Sequence, residues 1–218
     1  MSIKAIITAG GTSSRYGNKN KLLENVNGKE VIRHTVDAFL NIPEIEEIII
    51  CANASIIEIL KLFFIGNPKI KIIEGGATRQ ASVYNGLQAA EKCDYILIHD
   101  GARPMISEEI IKKAIQEVKT KKALTVAAKT IDTIKEVDEN LKITKTIDRT
   151  HLFNTQTPQA FSFDLIKKIH EELKGENFTD DAGMVEQKGY DVYIVEGDYK
   201  NIKITTKTDL EIAKTYLT

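Results

Sequence analysis

Five stretches of the chain are apolar with almost no interruption: "IKAIITA" at 3–9, "EEIIICA" at 46–52, "IKIIEG" at 70–75, "DYILIHD" at 94–100 and "ALTVAAK" at 123–129. They are rich in β-branched residues and do not alternate with polar ones. Such runs mark strands buried on both faces, as in a parallel sheet. Between them the apolar period changes. In "GKEVIRHTVDAFLN" Val31, Ile32, Thr35, Val36 and Phe39 fall on one helical face. "TRQASVYNGLQAAEK" does the same with Val83, Leu87 and Ala90, and "SEEIIKKAIQEVKT" with Ile110, Ile111, Ala114, Ile115 and Val118 behind a Ser107 N-cap. Strand–helix alternation of this kind predicts an open three-layer α/β sheet with right-handed crossovers and helices on both faces.

The rhythm stops after Lys129. Residues 130–156 hold short strand-like pieces about a turn at "DENL", and read as a β-arm projecting from the sheet. The arm has little core-forming power and needs a partner surface. A helix at about 162–173, a short helix after Thr179, the strand "YDVYIVEG" and a last helix from about 207 complete one domain, 1–218. No element is predicted for 53–69.

The loop after the first strand, "GGTSSRYGNKNKLL", is small, hydroxylated and cationic. In an open parallel sheet ligands bind beyond the carboxyl ends of the strands, where this loop lies. Gly10 and Gly11 let the backbone approach a ligand, and Arg15 and Lys21 add positive charge, a combination suited to an anion. The glycine spacing fits neither the GxGxxG dinucleotide fingerprint nor the GxxxxGK[ST] P-loop.

Net charge narrows the partner. The chain carries a formal charge of -1, which excludes a general nucleic-acid binder and leaves a small local anion. Cys51 and Cys93 form no CxxC pair and are expected to be buried. The four histidines are scattered and indicate no metal centre. No leader pattern precedes the first strand and no apolar run spans a membrane, so a cytoplasmic protein is expected.

Four more stretches follow strand ends or the arm: "EGGATRQASVYNGL" (74–87), "HDGARP" (99–104), "IDRTHLFNTQTPQAF" (147–161), and "TDDAGMVEQKG" with "NIKIT" (201–205). Together with the opening loop they resemble the 2-C-methyl-D-erythritol 4-phosphate cytidylyltransferases, in order and over nearly the whole chain. The resemblance implies a Rossmann-like nucleotidyltransferase sheet whose β-arm is exchanged across a homodimer. It implies a reaction of CTP with a sugar-alcohol phosphate, with Mg²⁺, giving a CDP-linked sugar alcohol and pyrophosphate. It assigns Arg15, Lys21 and Lys203 as catalytic cations. Ala9, Gly10, Gly11, Gly76, Ser82 and Asp100 would bind the nucleotide, with Asp100 also holding the metal, and Thr133 and Arg149 of the arm would bind the methylerythritol phosphate. Leu22 stands where the family usually has glutamine, and Ala77 where it often has aspartate. Arg103 is expected to brace its loop, His99 to pack into the sheet, and Asp180 and Asp181 to cap a helix. A ribitol-5-phosphate cytidylyltransferase is the nearest alternative, although "TDDAGMVE" resembles the methylerythritol branch better. A non-catalytic nucleotide-binding protein on the same fold is the alternative from another class.

Overall fold

The computed structural model describes residues 1–11, 16–17 and 20–217. β1 (Ile3–Ala9) leads into the glycine loop. A short 3-10 turn at Lys21–Leu23 and a small hairpin, β2 (Asn25–Val26) and β3 (Lys29–Glu30), then deliver the chain to α1 (Val31–Leu40). β4 (Ile45–Ala52), α2 (Ile57–Phe63), β5 (Ile70–Glu74), α3 (Arg79–Ala89), β6 (Tyr95–Asp100), α4 (Glu108–Lys121) and β7 (Ala123–Lys129) continue the alternation. β8 (Ile134–Val137) and β9 (Ile143–Ile147) pair antiparallel to make the arm. β10 (Phe153–Ser162), α5 (Phe163–Glu172), α6 (Asp181–Gln187), β11 (Tyr193–Glu196) and α7 (Lys207–Tyr216) follow.

Seven strands form one sheet in the order β11-β7-β10-β6-β1-β4-β5. Six run parallel, and β10 lies antiparallel between β6 and β7. A strand that returns from a hairpin-like arm to pair with the strand that launched the arm has to run antiparallel. The pleat divides the core in two. Ile3, Ala5, Ile7 and Ala9 pack with Val36, Phe39, Ile111 and Ile115 on one face of the sheet. Ile6 packs with Val83, Leu87, Phe163, Ile166 and Val185 on the other. Ser107 accepts a hydrogen bond from the Ile110 N–H at 3.3 Å and caps α4, as its position suggested.

The arm is shorter than residues 130–156. Phe153–Thr155 pair with Ala127–Lys129, so 153–156 belong to the central sheet. Their polar character conceals this: Gln156, Thr157 and Gln159 are all buried. The ladder slips register between Thr155 and Gln159, around Pro158, where a proline inside a sheet can be accommodated. The arm proper is exposed, with apolar Ile134, Val137, Leu141 and Ile143 open to solvent in the single chain. Among the described residues no helix is long and apolar enough to cross a membrane.

Candidate active site

The carboxyl ends of β1 and β6, the turn from β5 into α3, and the segment before α7 converge on one cavity of about 340 Å3. Ala9, Gly10, Gly11, Gly76 and Ser82 line it together with Lys21, Arg79, Asp100 and Lys203. Arg15 lies outside the described residues. One wall is made by tight packing of glycine backbone against Ser82. The Ser82 hydroxyl accepts the Gly76 N–H at 3.0 Å and lies 2.9 Å from the Thr78 carbonyl, to which it can donate. A Cβ on Gly10 would come within 2.9 Å of that hydroxyl. One on Gly76 would meet the Ala81 Cβ at 2.4 Å, against the first turn of α3. These two glycines are therefore demanded by close approach.

Asp100 ends β6 as a carboxylate among three cations. Its Oδ2 is 2.8 Å from Lys203 Nζ and 3.6 Å from Arg103 Nε, and its Oδ1 is 3.3 Å from Arg79 Nε and from the Thr8 hydroxyl. Burial alone would raise its pKa. The attraction of Arg79, Lys203 and Arg103 outweighs burial and holds the carboxyl well below the usual carboxylate range. Asp100 is therefore an anion at neutral pH. Lys203 reaches it because Ile204 donates its N–H to the Ala102 carbonyl at 2.8 Å, stitching "NIKIT" to "HDGARP". Arg103 adds a second stitch, from Nη1 to the Asn201 carbonyl at 2.8 Å.

His99, one residue earlier, is buried and packs against Phe39 in a tilted arrangement, with ring centroids 4.9 Å apart and 50° between the planes. Its Nε2 is 3.2 Å from the Arg103 carbonyl, so that nitrogen carries the proton, and Nδ1 accepts from the Thr157 hydroxyl at 2.9 Å. The same hydroxyl oxygen accepts the Asp100 N–H at 3.1 Å. Burial lowers the His99 pKa to about 4, so the ring is neutral and serves as a brace.

A second cavity, of about 440 Å3, opens beside the first, lined by Arg103, Thr157, Gln159 and Asp180 among others. Arg79, Asp100 and Lys203 line both. Thr133 and Arg149 line neither. Both are exposed on the arm, and the Arg149 guanidinium donates to the Ile131 carbonyl. Within one chain the structure thus gathers Lys21, Lys203, Asp100 and the small-residue wall, and leaves the arm pair apart.

Asp180 accepts the Gly183 N–H at 3.1 Å and caps α6. Asp181 does not cap, contrary to expectation. It is fully buried, 2.8 Å from Arg79 Nη1 and 2.9 Å from His170 Nε2. Sequence reasoning missed Arg79, Asp181, His170 and Thr157 as members of the site. For Arg79 a signal existed, since it opens the helix directly after the second glycine pair. For the others none did.

Two adjoining cavities at the carboxyl edge of a Rossmann-like sheet, one glycine-walled and both bordered by lysine and arginine, suit a polyanionic nucleotide, as a nucleotidyltransferase requires. The family model of 2-C-methyl-D-erythritol 4-phosphate cytidylyltransferase matches residues 3–218, and the chain belongs to that family. A relative of that name from Caldanaerobacter subterraneus subsp. tengcongensis is 42% identical, covering 100% of this chain and 99% of its own length. One from Clostridium beijerinckii is 41% identical over 99% and 98%. Among solved structures, the 4-diphosphocytidyl-2C-methyl-D-erythritol synthase of Anaerococcus prevotii is similar with a TM-score of 0.88 at 35% identity, covering 99% of this chain and 98% of that one.

Proposed function

We propose that this chain transfers the cytidylyl group of CTP to the phosphate of 2-C-methyl-D-erythritol 4-phosphate in these two cavities, in the non-mevalonate route to isoprenoid precursors. A phosphate oxygen of the acceptor forms a bond to the α-phosphorus of CTP, and the bond from that phosphorus to the bridging oxygen breaks. Pyrophosphate leaves with the electron pair. A phosphate monoester has its second pKa near 6, so the nucleophile is already largely dianionic and needs no base. The neutral, fully engaged His99 agrees with that. The obstacle is charge repulsion, and preorganised cations answer it. Lys21 and Arg15 act on the triphosphate from the first loop, and Lys203 from the segment before α7. The observation that carries the reading is that the glycine-walled cavity and its neighbour meet at Asp100, Arg79 and Lys203.

Among the described residues there is no group of three or more His, Cys, Asp or Glu side chains able to hold a metal. Among the described residues lining the glycine-walled cavity Asp100 is the one carboxylate, and Mg²⁺ takes one or two carboxylates and fills its other positions with water and substrate phosphate. Asp100 fits that role. Bound there, the ion would neutralise phosphate charge. The arm completes the site on this reading: in a homodimer, Thr133 and Arg149 of one subunit clamp the acceptor phosphate in the other. The cytoplasm is its place of work.

The test is pyrophosphate release from CTP, UTP, ATP and GTP, each with 2-C-methyl-D-erythritol 4-phosphate or ribitol 5-phosphate. Release with CTP and the methylerythritol compound is expected. Faster release with ribitol 5-phosphate would move the chain to the other branch, and CTP binding without turnover would favour the non-catalytic alternative.

A further inference from the structure

A buried ion chain runs from the wall shared by the two cavities into the packed side of the sheet. Arg79 spans two carboxylates, with Nε 3.3 Å from Asp100 Oδ1 and Nη1 2.8 Å from Asp181 Oδ2. Asp181 lines neither cavity, and its other oxygen takes His170 Nε2 at 2.9 Å. The Asp181 and His170 side chains are essentially inaccessible. Ions withdrawn this far from water are a costly way to join helix starts, and apolar packing often does so at no loss of stability. The backbone start of α6 has its own anchor, because the N–H groups of Asp181 and Ala182 both donate to Gln159 Oε1. The Asp181 charge is therefore surplus to holding the helix.

We propose that Asp181 is a positioning residue for the transfer reaction, acting through Arg79 on Asp100. A guanidinium is a rigid fork that can bridge two carboxylates or clasp one with two parallel hydrogen bonds. While Asp181 occupies Nη1, Arg79 meets Asp100 through Nε alone and on Oδ1 alone. Oδ2 is left to Lys203 at 2.8 Å and Arg103 at 3.6 Å. Without the Asp181 charge Arg79 loses its second anchor, and Asp100, no longer held against a fixed guanidinium, leaves the orientation in which it meets the substrate. The cost falls on the chemical step. CTP binding, which relies on the glycine wall and the first loop, is spared. This inference rests on the proposed reading of the pocket as a cytidylyltransferase site.

Asp181→Asn keeps the shape and removes the charge. In the assay above, kcat is expected to fall by about tenfold or more, while the dissociation constant of CTP, by calorimetry, stays within about threefold of wild type. In Asp100→Asn/Asp181→Asn the loss should match that of Asp100→Asn alone, because both act at one point. A folded Asp181→Asn protein with normal kcat overturns the proposal. So do losses that multiply in the double variant, or CTP affinity that falls in step with kcat. Should Asp181→Asn fail to fold, Asp181→Ser also removes the charge, in a smaller polar side chain. It is expected to show the same split, and normal kcat in it is equally fatal. A wild type that binds CTP but transfers nothing removes the reading of the pocket. A working wild type with variants that break the pattern removes only the role of Asp181.

Discussion

Lowering the pH should expose the cost of keeping His99 neutral. Its pKa falls from 6.5 to about 4 because burial penalises the charged ring. In the unfolded chain the ring takes a proton as pH drops through about 6.5, whereas in the folded chain it stays neutral until about 4. Between those values the unfolded state binds more protons, so stability falls as pH falls. By pH 4.5 the accumulated loss is about 2.5 kcal/mol, at about 1.36 kcal/mol per pK unit. The depressed carboxylates Asp100 and Asp181 lose their contributions only below the unfolded aspartate value of about 3.9, outside this window. The perturbation is His99→Gln, which removes the titrating ring. The variant forfeits two buried hydrogen bonds and should be less stable at pH 8 by about 1–3 kcal/mol. On acidification that gap should close or reverse, since the wild type alone bears the His99 penalty. Urea unfolding followed by circular dichroism, at fixed protein concentration from pH 8 to 4.5, measures it. A gap that stays constant over the whole range would refute the assignment of a neutral, buried His99.

Three further outcomes follow from the site. Lys21→Ala should lower kcat far more than it weakens CTP binding, by about 2.7–4 kcal/mol of barrier on the analogy of a lost oxyanion-hole donor; steady-state rates with calorimetric CTP affinity decide it, and weaker binding with a normal saturated rate contradicts it. Gly76→Ala should cost about 1–3 kcal/mol in a denaturant melt and weaken CTP binding, because its Cβ would sit 2.4 Å from the Ala81 Cβ, while unchanged CTP affinity would detach this wall from the nucleotide. Mixed Lys21→Ala and Arg149→Ala chains, each nearly inactive alone, should regain about a quarter of wild-type activity. On the proposed homodimer, random pairing makes about half the dimers hybrid, each with one intact site, and no recovery despite proven subunit exchange would place Thr133 and Arg149 in their own subunit's site.

Much of the sheet could be read because burial on both faces writes itself as unbroken apolar runs. β1 and β7 coincide with "IKAIITA" and "ALTVAAK", and β4, β5 and β6 differ from their predicted runs by a residue at an end, whereas β11 is shorter than "YDVYIVEG" at both ends. The amphipathic helices were legible for the same reason, since Val31, Ile32, Thr35, Val36 and Phe39 are all buried. β10 was not. Apolarity finds strands that hide carbon, but Gln159 is hidden by bonding Thr125 and Asp180, and Thr157 by bonding His99 and Asp100. α2 escaped because the continuous apolar run around it suits a strand or a helix equally. Of the site, the glycine pairs and the cations beside them show locally. Asp181 does not, because consecutive aspartates look alike in a sequence. One step along the start of α6 turns the first outward as a cap and the second inward onto Arg79.

The division of labour among the cations follows from how each is held. The Arg103 side chain is 12% exposed and that of Arg79 26%, and each is fixed from two directions: Arg79 by Asp100 and Asp181, Arg103 by Asp100 and the Asn201 carbonyl. The Lys203 side chain is 40% exposed, with a single carboxylate contact through a four-carbon stem. A guanidinium locked between partners forms a static field, whereas an ammonium on a flexible stem can exchange its carboxylate for phosphate. On the proposed reaction the two demands differ in the same way. Holding Asp100 in one orientation calls for fixed charge. Following a phosphoryl group from one oxygen to another calls for a charge that moves, and Lys203, more exposed than Arg79 and Arg103, is the group suited to it.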